Sequence, residues 1–272
     1  MKDTKKLFYI IVGLYLLIIF FPFFWVFITS FKPESEIWGS EALKIISSDA
    51  TLDHYKALFK ANIFNSLKNS FIIASVTTVY VTVLASLCAY SIARLKFWGK
   101  RLLLAAVLGT SMFPQMIVVG PIYRAFVAFG WVNSYWITLP YSMITLPIAI
   151  YILVTHFTKI PKELEESGMI DGASKIRIFG EIILPLALPG IFTSAIITFI
   201  GVWNEFLLAL TLNPNSSYHT ATVAISFLRG QFTIFWGQVT AATVVVTIPT
   251  LIIVLIFQKQ IISGLTSGAV KE

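Results

Sequence analysis

Six blocks of apolar residues, each long enough to cross a bilayer, constrain this chain more than any other feature. They run about 7–31, 71–93, 102–126, 136–157, 183–210 and 240–257. Hydrocarbon offers no partner to a backbone N–H or C=O, so a lone crossing segment has to be a helix that satisfies itself. The sequence therefore predicts an all-α polytopic membrane protein with six transmembrane helices, organised as one transmembrane domain over 1–272. At 1.5 Å per residue the first block reaches roughly 37 Å, too long for the apolar part of a signal peptide. No small-x-small cleavage site follows it, and Phe31-Lys32-Pro33-Glu34 reads as a helix exit, so it is expected to be an uncleaved anchor. Charged residues make up only 12% of the chain, about half the share of a soluble domain.

A net charge of +7 would suggest nucleic acid in a soluble protein. Here the basic residues sit between apolar blocks, as the positive-inside rule requires, and no nucleic-acid partner is expected. With the N-terminus in the cytoplasm, Lys2, Lys5, Lys6, Arg94, Lys96, Lys100, Arg101, Lys159, Lys162, Lys175, Arg177, Lys259 and Lys271 all fall inside. That orientation places both termini in the cytoplasm, with outer loops at 32–68 and 213–238 and an inner loop at 159–182. Trp25, Trp38, the run Trp131 to Trp136, Trp203 and Trp236 lie near block ends, where amphipathic rings anchor to headgroups. Cys88 reads as a small buried apolar residue. His54, His156 and His219 are isolated in sequence and read as surface or interfacial residues, with no metal-ligand spacing. Pro22, Pro114, Pro121, Pro140, Pro147 and Pro249 interrupt the blocks, and kinked bundles of this kind commonly enclose a path.

The longest polar stretch on the inner side, Lys159 to Pro189, reads as a helix, a break and a second helix. Pro161 suits a first turn, and Glu163, Glu165 and Glu166 follow where the helix dipole favours negative charge. Gly172 is where the chain can turn, and a second run from Ala173 places Ile176, Phe179 and Ile183 on one apolar face. On the first helix Leu164, Ser167 or Gly168, and Asp171 share a face whose small residues would let another backbone approach closely. Periodicity alone leaves two readings equal: a docking knob, or an amphipathic helix lying in the membrane interface.

Glu166-Ser-Gly-Met-Ile-Asp171-Gly172, followed after nine residues by Ile182-Ile-Leu184-Pro185, resembles the EAA loop of ABC importer permeases. The departure is Ser167-Gly168 in place of Ala-Ala; both stay small, although Gly168 weakens the helix by about 1 kcal/mol relative to Ala. The likeness extends over nearly the whole chain, toward permeases of carbohydrate importers of the maltose and trehalose type. It includes Leu52-Asp-His-Tyr55, Asn69-Ser70, Ser111-Met-Phe-Pro114, Ile160-Pro-Lys-Glu-Leu164, Trp203-Asn204-Glu205 and the tail Gly264-Leu-Thr-Ser-Gly-Ala-Val270.

That resemblance implies the type I importer permease fold, a place in the inner membrane of a bacterial or archaeal cell, and a chain without catalytic centre, metal or bound cofactor. ATP and Mg would sit on two ATPase subunits, whose closure moves the docking helix as a rigid lever. Glu166, Asp171 and Gly172 would be the coupling residues, with Glu163, Glu165, Ser167 and Gly168 as neighbours. A second permease, expected to be a different chain, and an extracytoplasmic sugar-binding protein would complete the importer. The cargo implied is a di- or oligosaccharide such as maltose or trehalose. The tail after Ile262 would reach toward the ATPase interface or end as an ordinary terminus.

For the substrate path, Gln115 and Tyr123 could hydrogen-bond a sugar and Trp203 could stack on one. Asn204 and Glu205 read either as a wall or gate of that path or as headgroup-level polar groups, since a carboxylate at membrane depth needs a partner or a wet cavity. The resemblance also implies that the companion permease holds many of the sugar contacts. Two other classes fit a polytopic chain less well. A membrane-embedded lipid-modifying enzyme would need convergent acids, bases or metal ligands, and neither His-Glu-x-x-His nor a glycine-flanked nucleophile is present. A secondary transporter would need mid-helix carboxylates, and only Glu205 comes near.

Overall fold

The computed structural model describes residues 2–39, 41–229 and 233–266, and every regular element among them is helical. In order these are α1 (Lys2–Thr29), α2 (Glu34–Trp38), α3 (Asp53–Lys60), α4 (Ile63–Arg94), α5 (Lys100–Thr110), α6 (Gln115–Phe129) and α7 (Thr138–Lys159). There follow α8 (Glu163–Ile170), α9 (Lys175–Ile178), α10 (Leu184–Trp203), α11 (Leu207–Leu212), α12 (Ala221–Ser226) and α13 (Trp236–Thr266). A π turn, Phe179–Ile183, joins α9 to α10 without a break.

Among the described residues five continuous helices are long and apolar enough to cross a membrane: Lys5–Thr29, Ile63–Arg94, Tyr135–Lys159, Lys175–Trp203 and Trp236–Ile262. A sixth span exists if α5 and α6 count as one, and these are bent by 88°. The block at 102–126 is thus not the single helix that its apolarity predicts. Pro114 carries extended-type torsions (ψ 127°) as the cap of α6, and a proline biases its predecessor away from helical torsions, so the turn falls at Ser111–Pro114. The block at 183–210 is also interrupted: α10 stops at Trp203 and a separate α11 begins at Leu207. Toward its N-terminus the same span is longer than predicted, because α9 continues through the π turn. Pro185 has no N–H to return to the carbonyl of Glu181, and widening the preceding turn accommodates that loss.

The coordinates form two compact units. One contains the described residues of Met1–Leu67 and Val223–Pro249. The span 32–68, predicted to be an outer loop, here carries α2, α3 and the start of α4; Asn62, at φ 57°, lets the chain turn between α3 and α4. The core of this unit is Leu58, Ile63, Ala224, Ala241 and Ala242. His54, expected as a surface or interfacial residue, is buried, with its Nε2 2.8 Å from the carbonyl of Lys32. Its ring lies so close over Gly237 that any Cβ there would overlap it. The Gly237 N–H in turn donates to Glu34 Oε1 at 2.9 Å. Lys32 is likewise buried, donating to the Ala42 carbonyl at 2.8 Å with its ammonium 4.9 Å over the Trp25 ring. A buried charge needs such partners, and Lys32 has found both a carbonyl and a π face.

The other unit contains the described residues of Lys68–Thr222 and Thr250–Glu272. Its core is a seam of small and apolar residues: Val81, Ala85, Ala89 and Ile92 from α4 against Ala149, Ile150, Leu153 and Phe157 from α7. Ile178, Ile183 and Ala187 close it from the α9–α10 side. Steps of four residues between small side chains let helices approach where lipid supplies no hydrophobic drive. Gly190 continues the pattern, since a Cβ there would overlap the His156 ring. Cys88 points the other way; it is exposed on the flank of α4 rather than buried, because the alanine positions take the inner face.

Candidate coupling segment and transport path

In the larger unit the residues from Lys159 to Ile183 form a short helix hung between the ends of three spans. α8 begins at Glu163, after Pro161 has bent the chain away from α7, and carries Glu163, Glu165 and Glu166 in its first turn. It ends on a hydrogen-bonded C-terminal turn. The Ala173 N–H returns to the Gly168 carbonyl at 2.9 Å and the Gly172 N–H to Met169 at 3.1 Å. That pair of bonds defines the Schellman turn, which needs a left-handed residue at its centre; Gly172 supplies it at φ 78°. Nothing lies within 4 Å of a Cβ built on Gly172, so glycine is required there by backbone torsion and not by crowding. Ser174 then caps α9, its Oγ accepting from the Arg177 N–H at 3.3 Å.

The two faces of α8 do different work. Inward, Gly168 is buried so closely that a Cβ would meet Ile182 Cδ1 at 3.0 Å and Ile178 Cγ1 at 3.2 Å. Also inward, Glu165 Oε1 lies 2.8 Å from Arg94 Nε, and the two side chains are only 16% and 3% exposed. Outward, Glu163, Leu164, Glu166, Ser167 and Ile170 are exposed, as is Asp171 at the end of the helix. The sequence reading places Ser167 or Gly168 on the docking face with Leu164 and Asp171. The structure separates them: Gly168 seats α8 on its own chain, and Ser167 stays outside. The predicted apolar face of the second helix is also rotated. Ile176 is 85% exposed, whereas Ile178 and Ile183 are buried, five residues apart across the π turn that resets the helical phase.

Beside α8 opens a cleft of about 770 Å3, lined by Arg94, Lys96, Lys162, Glu165, Glu166 and Lys175. Arg94 reaches further than its carboxylate partner. Its Nη2 donates to the carbonyl of Ile160, the C-terminal cap of α7, at 2.6 Å. Sequence reasoning saw Arg94 only as one inner-side cation among many. The sole signal that could have singled it out is its place on the last turn of a long apolar helix, where a cation meets the C-terminal dipole.

The five residues nominated for a substrate path are not gathered in one place. Gln115 lines a cleft of about 370 Å3 at the bend between α5 and α6, together with Thr110, Ser111, Phe113 and Met143. None of the other four lines that cleft. Tyr123 is exposed on α6. Trp203 is only 3% exposed and stacks on Phe199 with ring centroids 5.7 Å apart, so its faces are already occupied. Asn204 is exposed and donates to the Ile200 carbonyl at 2.9 Å. Glu205 is buried, at 8% exposed. Its carboxylate accepts from the Tyr141 hydroxyl at 2.8 Å and from the N–H groups of Leu208 and Ala209 at 2.8 and 3.1 Å. Glu205 is thus the cap that starts α11 and so ends the apolar block early.

A second network secures the segment 213–222. Asn69 on α4 donates to the carbonyls of Ser217 and His219 at 2.9 and 3.1 Å and accepts from the Tyr135 hydroxyl at 2.7 Å. Ser70 Oγ accepts from the Ala221 N–H at 2.8 Å. His219, expected as a surface or interfacial residue, is buried within this network, its Nε2 3.1 Å from the Pro214 carbonyl. The sequence flagged Asn69-Ser70 without assigning a role; the structure shows that the pair fastens a loop. The tail noted at Gly264–Val270 continues α13 as far as Thr266, and 267–272 lie outside the described residues.

The larger unit carries a short, torsionally locked helix between apolar spans, and among the described residues no His, Cys, Asp or Glu cluster could hold a metal ion. The chain belongs to the family of binding-protein-dependent transport system inner membrane components, whose model matches residues 81–267. It is similar to the trehalose/maltose transport system permease protein MalG of Thermococcus litoralis, 39% identical over 99% of each chain. It is 43% identical to the trehalose transport system permease protein SugB of Mycobacterium tuberculosis over 92% of each. Among solved structures, a bacterial ABC transporter involved in import of the acidic polysaccharide alginate shares the fold at TM-score 0.78, with 18% identity, 95% of this chain and 96% of that one. The MetNI methionine ABC transporter matches at TM-score 0.59, with 16% identity, over 79% of this chain and 99% of that one. The fold is the type I permease fold of ABC importers, and the chain is a multi-pass inner-membrane transport subunit.

Proposed function

We propose that this permease carries a neutral di- or oligosaccharide of the trehalose or maltose kind inward, as one of two transmembrane subunits driven by two ATPase subunits. The cargo reading rests on identities of 39% and 43% to permeases named for trehalose and maltose, over nearly full length. The coupling reading rests on one observation: α8 presents Glu163, Glu166, Ser167 and Asp171 outward while its inner face is seated on the chain's own helices. A helix fixed on one side by its own chain, with carboxylates and the apolar side chains Leu164 and Ile170 exposed on the other, fits a groove on a partner. ATP and Mg belong to the partner subunits, and an extracytoplasmic binding protein delivers the sugar. Both termini are cytoplasmic, which follows if α5 and α6 together make one crossing and the basic loops stay inside.

The test is ATPase activity of the complex in proteoliposomes, with and without binding protein plus trehalose or maltose, for wild type and Glu166→Lys. Stimulated hydrolysis with uptake of labelled sugar, lost by roughly tenfold or more in Glu166→Lys, is the expected result. Full stimulation in Glu166→Lys would remove the coupling role of α8. Stimulation by a different solute alone would overturn the cargo.

A further inference from the structure

The geometry points to Arg94 as a positioning residue that ties the coupling helix to two spans at once, so that movement of α8 is delivered to α4 and α7 through a single guanidinium. This inference rests on the coupling role proposed for α8. Three chain segments converge on Arg94, which itself is the last residue of α4. The guanidinium donates to the Ile160 carbonyl at the end of α7 at 2.6 Å and pairs with Glu165 on α8 at 2.8 Å. With its side chain only 3% exposed it cannot exchange these partners for water without the segments separating.

Geometry explains why arginine is needed. A planar fork with donors on Nε and both Nη atoms can hold a carboxylate and a backbone carbonyl simultaneously in fixed directions, whereas a lysine ammonium is a point charge on a flexible stem. The ends of α7 and α8 are separated only by the linker Ile160–Lys162, and Pro161 within it has no N–H to donate. Linker backbone alone would let α8 swing. Gly168 against Ile178 and Ile182 seats α8 on the start of the next span, but that contact is apolar and can slide. The Arg94 strut is polar, a hydrogen bond to Ile160 and a largely buried ion pair to Glu165, and neither contact uses the exposed residues Glu163, Glu166 and Ser167. Docking and transmission are thereby assigned to different side chains of one short helix.

The test compares Arg94→Gln, Arg94→Lys and the exchanged pair Arg94→Glu with Glu165→Arg in the complete complex. Three readouts are taken: ATPase subunits retained on purification, basal ATP hydrolysis, and hydrolysis stimulated by binding protein plus sugar. Arg94→Gln is expected to keep the first two and to lose about tenfold in stimulation and uptake. Arg94→Lys should be intermediate, and the exchanged pair should recover at least half of the loss. Rescue by exchange separates positioning from a general packing defect, which reversing both charges would not repair. Wild-type stimulation in Arg94→Gln overturns the inference. If Arg94→Gln does not assemble, spin labels at Trp98 and Lys162 in a Cys88→Ser background decide the matter through Arg94→Lys. A separation that stays narrow and unchanged between nucleotide states in wild type and broadens in Arg94→Lys supports the strut, and equal widths overturn it. Glu166→Lys run alongside keeps the two ideas apart: uncoupling there with normal coupling in Arg94→Gln sinks only the strut, whereas normal coupling in Glu166→Lys sinks the role of α8 itself.

Discussion

The larger unit withdraws two carboxylates from solvent near helix starts, partly buried Glu165 and buried Glu205, and it solves the same electrostatic problem in opposite ways. Glu165 lies beside an open cleft and is neutralised by a full opposite charge, Arg94, which belongs to a different helix. Glu205 is more enclosed and is held by neutral donors: two backbone amides of the helix it caps and the Tyr141 hydroxyl. A carboxylate tied to its own following turn can only make a fixed corner. One tied to an arginine on another segment can transmit force between segments. Glu205 is therefore part of the scaffold, and Glu165 part of the linkage.

Removing the fixed corner should cost most. Glu205→Ala strands two amides and a hydroxyl, and about 3 kcal/mol of stability should be lost, read as earlier thermal loss of the folded peak in detergent. Arg94→Ala leaves Glu165 without its cation, but that side chain keeps some access to water, and about 2 kcal/mol is expected. If Arg94→Ala unfolds earlier than Glu205→Ala, the distinction between corner and linkage collapses. Gly172→Ala should cost about 1 kcal/mol from left-handed torsion alone, and a larger effect on stimulated ATPase than on melting would sharpen the case that α8 must be aimed. Gly168→Ala sets a gain in helix propensity against a tight approach to the flexible ends of two isoleucines, so a change within about 1 kcal/mol of zero is expected. A drop well beyond that would mean α8 sits on its neighbour more rigidly than on Arg94.

Much of this was legible in the residues. The apolar blocks marked each region of span, and Gly172 marked the turn that the backbone makes at φ 78°. What was hidden shares one cause: hydropathy is blind to where backbone bonds go. Phe206 to Leu212 is apolar enough to continue a span, and only the capping by Glu205 reveals that a new helix starts there. Likewise 102–126 reads as unbroken until Pro114 is seen to set extended torsions at a bend. Ile176 was assigned to the wrong side because a 3.6-residue period does not survive a π turn. Arg94 escaped notice because the positive-inside rule explains any inner arginine equally well, and burial is what distinguishes this one.

One consequence concerns the order in which the chain is made. No part of the most apolar stretch of α1 is buried within the protein, whereas half of the corresponding stretch at Tyr135–Lys159 is. α1 can thus leave the translocon and settle in lipid as soon as it is synthesised, independent of anything downstream. The bent pair α5 and α6 has no such freedom, since backbone groups at the Ser111–Pro114 turn need neighbours that emerge later, Met143 and Ile144 of α7 among those lining the bend. Biogenesis should therefore be sensitive to mutation at the bend and tolerant in α1, the reverse of what apolarity alone would rank.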